Sequence, residues 1–157
     1  MTESELTVRR ATRADLPRVV QLMTEDVLGQ AREQFSDPLP QPYYDAFQRI
    51  DADPMHELIV VERDGRVVAT MHLMELNSLT RLATKRLEVE GVRVEATLRG
   101  QRIGEAMMKW AIARAAARGC GIVQLTTDVR RKDAHRFYER IGFVATHVGM
   151  KYTLSGK

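Results

Sequence analysis

A mixed α/β layer domain is what the sequence predicts, and three observations predict it. Short stretches of strand period alternate with stretches of helix period in the order β-α-α-β-β-β-α-β-α-β-β. The 157 residues are a length suited to one domain, and 44% of them are hydrophobic, enough for a sizeable core. No internal repeat or Gly/Pro/Ser-rich linker divides the chain, so residues 1–157 are expected to form one domain. The order counts about seven strands and about four helices.

Leu6 to Ala11 alternate as a short first strand, and Thr12 stands as an N-cap before a helix from Arg13 to Leu28, stopped by Gly29. Leu16, Val19, Val20, Met23 and Val27 form its apolar stripe. Ser36 to Pro42 holds three prolines and reads as a loop, followed by a short helix from Tyr43 to Ile50. Glu57 to Glu62 and Arg66 to Leu76 are antiparallel strands joined at Asp64-Gly65, a two-residue hairpin pair. A long strand from Lys85 to Glu95 leads to a helix from about Gly100 to Ala117. Then come a strand from Ile122 to Asp128, a helix from Arg131 to Ile141, and final strands around Phe143 and from Val148 to Leu154.

Composition removes several functions. With 24 Lys and Arg against 21 Asp and Glu, the formal net charge is only +3, which argues against a chain built to coat nucleic acid. No apolar run approaches the roughly 18 residues of a membrane span, and Met1 to Arg10 is too polar for a signal peptide, so a cytoplasmic protein is expected. One cysteine, Cys120, excludes an internal disulfide. His56, His72, His135 and His147 are scattered without zinc-ligand spacing, and no metal is expected.

Three places hold candidate chemistry. In the strand Lys85 to Glu95 the apolar residues are at odd positions before Gly91 (Leu87, Val89) and at even positions after it (Val92, Val94). Side chains alternate with period two, so one residue has slipped, as in a β-bulge that leaves backbone groups unpaired; a plain kink is the alternative. Next, Arg99-Gly100-Gln101-Arg102-Ile103-Gly104 opens a helix. Such a turn aims free N–H groups and the positive end of the helix dipole at one spot, which suits a diphosphate, although two glycines also serve a tight turn. Glu105 follows Gly104 where a Walker loop needs Lys-Ser or Lys-Thr, and the three glycines of a dinucleotide fingerprint are absent. In the last helix Tyr138 borders the stripe Ala134, Phe137, Ile141, where a core-covering tyrosine is the plain reading.

Val92-Arg93-Val94 with Arg99 to Gly104, together with Ala134-His135-Arg136-Phe137-Tyr138-Glu139-Arg140-Ile141-Gly142-Phe143, resembles the GNAT (GCN5-related) N-acetyltransferases from about Thr7 to Leu154. Within that family, Leu125 to Tyr138 looks most like the aminoalkylphosphonate N-acetyltransferases. The resemblance implies a central, mostly antiparallel sheet of about seven strands flanked by about four helices, with a bulged, splayed strand at the coenzyme A site, and acetyl-CoA as cosubstrate. Val92, Arg93 and Val94 would hold the pantetheine and thioester, and Arg99, Gly100, Gln101, Arg102, Ile103 and Gly104 the diphosphate. Two positions depart from the family pattern: Arg102 stands at its first glycine, and Arg131 replaces a frequent asparagine at a cofactor contact.

For catalysis the resemblance implies Glu90 as base and Tyr138 as acid, with direct attack of a primary amine in a ternary complex. Glu88 shares a face with Glu90 and is the alternative base. Cys120 sits in a Gly-Cys-Gly turn with no histidine placed by sequence to activate it, which disfavours an acetyl-enzyme. The expected acceptor is a small amine, including an anionic, aminophosphonate-like one, with Arg81, Lys85, Arg86 and Arg93 as sources of positive charge. A homodimer fits many relatives, and neither nucleic acid nor membrane is an expected partner. The rival readings are a non-catalytic acetyl-CoA sensor and a basic nucleic-acid-binding module, the latter without a recognisable motif or an aromatic stacking series.

Overall fold

The hairpin at Asp64-Gly65 organises the sheet. In the computed structural model, which describes residues 5–155, Asp64 and Gly65 both take positive φ (53° and 74°), as a tight two-residue turn demands. They join β2 (His56–Arg63) to β3 (Arg66–Leu76). β1 (Leu6–Arg10) pairs with the other edge of β2, and β4 (Arg86–Val94) with the other edge of β3, all antiparallel. β5 (Ile122–Leu125) lies beside β4, so the five strands stand in chain order.

The helices are α1 (Leu16–Met23), α2 (Val27–Arg32), α3 (Gln41–Ala52), α4 (Thr80–Ala83), α5 (Ile103–Ala117) and α6 (Lys132–Arg140). α4 is a single turn in which Arg81, Leu82 and Ala83 take positive φ. Two compact units share these elements: residues 1–124 hold β1 to β4 and most of β5, and residues 125–157 hold the end of β5 and α6.

In the first unit the period-two pattern of the strands sorts side chains onto two faces. Leu58 and Val60 of β2 join Leu16, Val19, Val20 and Leu22 of α1 and Phe47 of α3 in one buried cluster. Burial of each such side chain contributes roughly 1.5–3 kcal/mol. The opposite face carries Ile59, Met71, Leu73, Leu87 and Val89, all almost fully buried, and α5 packs there with Met107, Met108 and Ala111 inward. Buried carboxylates fix the C-terminal half of α5: Arg114 donates to Glu57 at 3.0 and 2.5 Å, and Arg118 and Lys85 both bond Glu75. The Arg114 guanidinium holds the Glu57 carboxyl below its ordinary range against the opposing effect of burial.

Three sequence expectations are corrected. The predicted helix Arg13 to Leu28 is three pieces: a 3₁₀ turn (Arg13–Asp15), α1 and α2. Asp26 caps α2 by accepting from the Gly29 N–H at 2.6 Å, so the chain starts a new helix instead of continuing the old one. Gly29 therefore lies inside α2; a Cβ there would sit 1.8 Å from the Met23 carbonyl oxygen, a contact only glycine allows. The sheet has five strands among the described residues, not about seven. Val148, Met150, Tyr152 and Leu154 keep their alternation, yet a strand exists by its ladder, and these residues form none and are exposed.

Candidate active site

The slip in β4 is a bulge. Arg93 stands opposite Thr70 and Glu90 opposite His72, so Gly91 and Val92 together face the single residue Met71. Gly91 takes φ +59°, the left-handed conformation that lets the extra residue fit. Leu87, Val89, Val92 and Val94 thereby share the α5 face despite the change of parity. Arg86, Glu88, Glu90 and Arg93 share the α1 face, and the Met23 methyl at the end of α1 lies 3.7 Å from where a Gly91 Cβ would stand. The bulge lies at Gly91, where the change of parity in the sequence predicts it.

Glu90 is exposed on β4 immediately before the bulge. Glu88, one repeat earlier, is half-buried and accepts from Gln124 Nε2 at 2.7 Å. Burial pushes its carboxyl above the ordinary range, and the neighbouring Glu90 charge adds to the shift. Arg86 reaches Gln124 Oε1 at 3.4 Å, and its buried Nε has no partner among the described residues.

Two histidines that sequence spacing left apart meet on this face. The β2–β3 ladder brings His56 Nδ1 within 3.0 Å of His72 Nε2, with the ring centroids 5.1 Å apart. Burial, reinforced by the His56 ring, pushes the His72 imidazole down to about 4, so it is neutral near pH 7. The alternation of β3 and the β3–β4 register put His72 beside Glu90; only the register was missing from the sequence.

Beyond β4, Glu95 accepts from Arg18 of α1 at 2.5 Å and from Arg66. Arg66 first, then Thr97, hold its carboxyl down to about 2. Glu25 accepts from the Ala96 N–H at 2.7 Å, so α1 and the following chain are tied together where the turn begins. Arg99, Gly100, Gln101 and Arg102 are exposed, Ile103 is buried as the first residue of α5, and Gly104 follows it half-buried. Gly100 and Arg102 take φ +81° and +63°, and no side chain caps α5. The first-turn N–H groups thus have no acceptor within their own helix, which fits a diphosphate.

The first unit holds Glu90, Val92, Arg93, Val94 and the turn Arg99 to Gly104. Tyr138 and Arg131 belong to the second unit. There Tyr138 is half-buried between Phe137 and Phe143, with ring centroids at 5.1 and 5.7 Å, and Arg131 precedes α6. His135 in the first turn of α6 bonds the Asp128 carbonyl at 2.9 Å.

The acetyltransferase (GNAT) family matches residues 24–143. The chain belongs to that family. Over 113 residues, 68% of this chain and 69% of the relative, it is 31% identical to the aminoalkylphosphonate N-acetyltransferase of Salmonella typhimurium. A crystal structure described as a transcriptional regulator from Bacillus halodurans matches with TM-score 0.92 and 43% identity, covering 96% of this chain and all of that one. An aminoglycoside N-acetyltransferase solved with CoA shares the fold at TM-score 0.78 and 13% identity, covering 98% of this GNAT chain and 97% of its own. This GNAT protein is an N-acetyltransferase that uses acetyl-CoA, and no helix among its described residues is long and apolar enough to cross a membrane.

Proposed function

We propose that the enzyme acetylates a small primary amine bearing an anionic group, of the aminophosphonate kind, by direct attack on acetyl-CoA. The observation that carries this reading is the Gly91 bulge, which sets an extra residue into β4 immediately after Glu90, next to the backbone N–H groups that in this reading hold the thioester. The anionic acceptor is supported by the name of the Salmonella relative and by Arg86, a cation on the Glu90 face whose buried Nε has no partner among the described residues.

An alkylammonium with a pKa near 10 must lose a proton before it attacks. In this reading Glu90 takes that proton, directly or through water, while Glu88 is already engaged by Gln124. The amine nitrogen bonds to the thioester carbon, its second proton passes to water, and the carbon–sulfur bond breaks. Tyr138 gives its hydroxyl proton to the departing thiolate and regains one from water. The N–H groups of Val92 to Val94 hold the pantetheine and carbonyl, the turn Arg99 to Gly104 holds the diphosphate, and Arg131 supplies a further cofactor contact. Residues 1–157 act as one catalytic domain in the cytoplasm, and a homodimer is the assembly to seek in solution.

Thiol release from acetyl-CoA with matched amines tests the acceptor. Aminoalkylphosphonates are expected to give saturable release at lower KM than neutral amines of equal length, and Arg86→Gln to raise KM for the phosphonates alone. Equal KM values for both classes would remove the anionic acceptor and leave the acetyltransfer in place.

A further inference from the structure

On the α5 face, at the hairpin end of the sheet, lies a cavity of about 430 Å³ lined by Arg63, Asp64, Arg66, Val68, Leu98 and Gln101. That volume lies within the range of small-ligand sites. Val68 and Leu98 give it apolar wall, and its remaining groups are mostly donors.

Arg63 and Arg66 stand directly opposite each other in the β2–β3 register. Like charges so placed destabilise a strand pair unless an anion offsets them. Arg66 has such an anion in Glu95, although Arg18 shares the same carboxylate. Arg63 makes no ion pair among the described residues; its Nη1 donates to the neutral Gln101 Oε1 at 2.6 Å. That bond occupies the Gln101 carbonyl and leaves the amide N–H₂ and the rest of the Arg63 fork as donors. Asp64 is the one carboxylate of the wall, exposed in the hairpin turn. A planar cationic fork beside an amide donor, with a second arginine opposite, matches a phosphoryl group better than a neutral ligand.

We propose that this cavity is a second phosphate subsite, holding a phosphoryl dianion between Arg63, Arg66 and the Gln101 amide. Two sources share that chemistry: the 3′-phosphate on the ribose of coenzyme A, and free phosphate. Gln101 belongs both to this cavity and to the turn assigned to the diphosphate, and one ribose separates the diphosphate of coenzyme A from its 3′-phosphate. The inference rests on that assignment of the turn.

Titration of the full-length protein with CoA and with 3′-dephospho-CoA, which lacks only the one phosphate, separates the outcomes. Charge-assisted bonds of this kind change affinity about 10- to 100-fold. Wild type is expected to bind CoA at least about tenfold more tightly than dephospho-CoA, and Arg63→Gln and Arg66→Gln are expected to abolish that preference while leaving dephospho-CoA affinity unchanged. If wild type shows no preference, yet inorganic phosphate binds the dephospho-CoA complex and Arg63→Gln abolishes that binding, the subsite stands with free phosphate as its source. No preference and no Arg63-dependent phosphate binding would overturn the proposal, as would equal weakening of both nucleotides by the arginine variants in folded protein. Gly104→Asp tests the turn separately: it should weaken both nucleotides alike, and unchanged affinity would remove the turn from the diphosphate without touching the Arg63 comparison.

Discussion

His72 of β3 stands directly opposite Glu90 of β4, on the residue pair that precedes the bulge. Opposed residues of an antiparallel pair share a face, so the imidazole and the proposed base project to the same side of the sheet.

The depressed His72 value sets a pH dependence of stability. The unfolded chain takes up a proton at this ring as pH falls through 6.5, whereas the folded protein resists until about 4. Stability is therefore complete above pH 6.5, declines between 6.5 and 4, and loses nothing further from this group below 4. His72→Phe removes that slope. Melting curves at pH 7.5, 5.5 and 4.5 should show the wild-type Tm falling a few °C further than that of the variant, and parallel decline in both proteins would argue against it.

Glu90→Gln and Glu88→Gln separate the two carboxylates of the face. With Glu90 as base, Glu90→Gln is expected to lower kcat about 10² to 10⁴-fold with little change in acetyl-CoA affinity. In Glu88→Gln the amide oxygen still accepts from Gln124, and a partly desolvated charge is gone, so Tm near pH 8 should be equal or higher. Turnover that survives in Glu90→Gln but collapses in Glu88→Gln would exchange their roles.

Tyr138→Phe keeps a ring between Phe137 and Phe143 and removes only the hydroxyl. A general acid there predicts kcat down about 10² to 10⁴-fold with acetyl-CoA binding retained. A purely packing role predicts normal turnover and at most about 1 kcal/mol lost with the hydroxyl contact. Steady-state kinetics beside a melting curve distinguishes the two.

Arg102 holds a left-handed backbone, φ +63°, at the entry to α5. That conformation costs a non-glycine residue about 1 kcal/mol or more, and a β-branched residue more still. Arg102→Gly should melt at or above the wild-type temperature and Arg102→Val several °C below it. Equal melting of the two variants would mean that the turn relaxes out of this conformation.

The bulge and the turn Arg99 to Gly104 were legible because both are local. Gly91 with its parity change, and Gly100 to Gly104 before an apolar helix, are covalent neighbours whose backbone demands show in a few residues. The break between α1 and α2 was not legible, since Val27 continues the helical spacing of Val20 and Met23. What decides it is the Asp26 cap and the close approach of Gly29 to the Met23 carbonyl.

The amino-acid sequence by itself determined the fold class, the order of the five strands, and the family, because periodicity, turn chemistry and motif spacing are carried within short segments. Only the tertiary structure decided which distant side chains meet. His56 and His72, Arg63 and Gln101, and Glu88 and Gln124 are 16, 38 and 36 residues apart, and each pair is made by strand register or helix docking. It also decided that the alternating stretch from Val148 to Leu154 is not a strand among the described residues. Alternation states which way side chains would point, whereas a strand requires a second backbone to accept its hydrogen bonds.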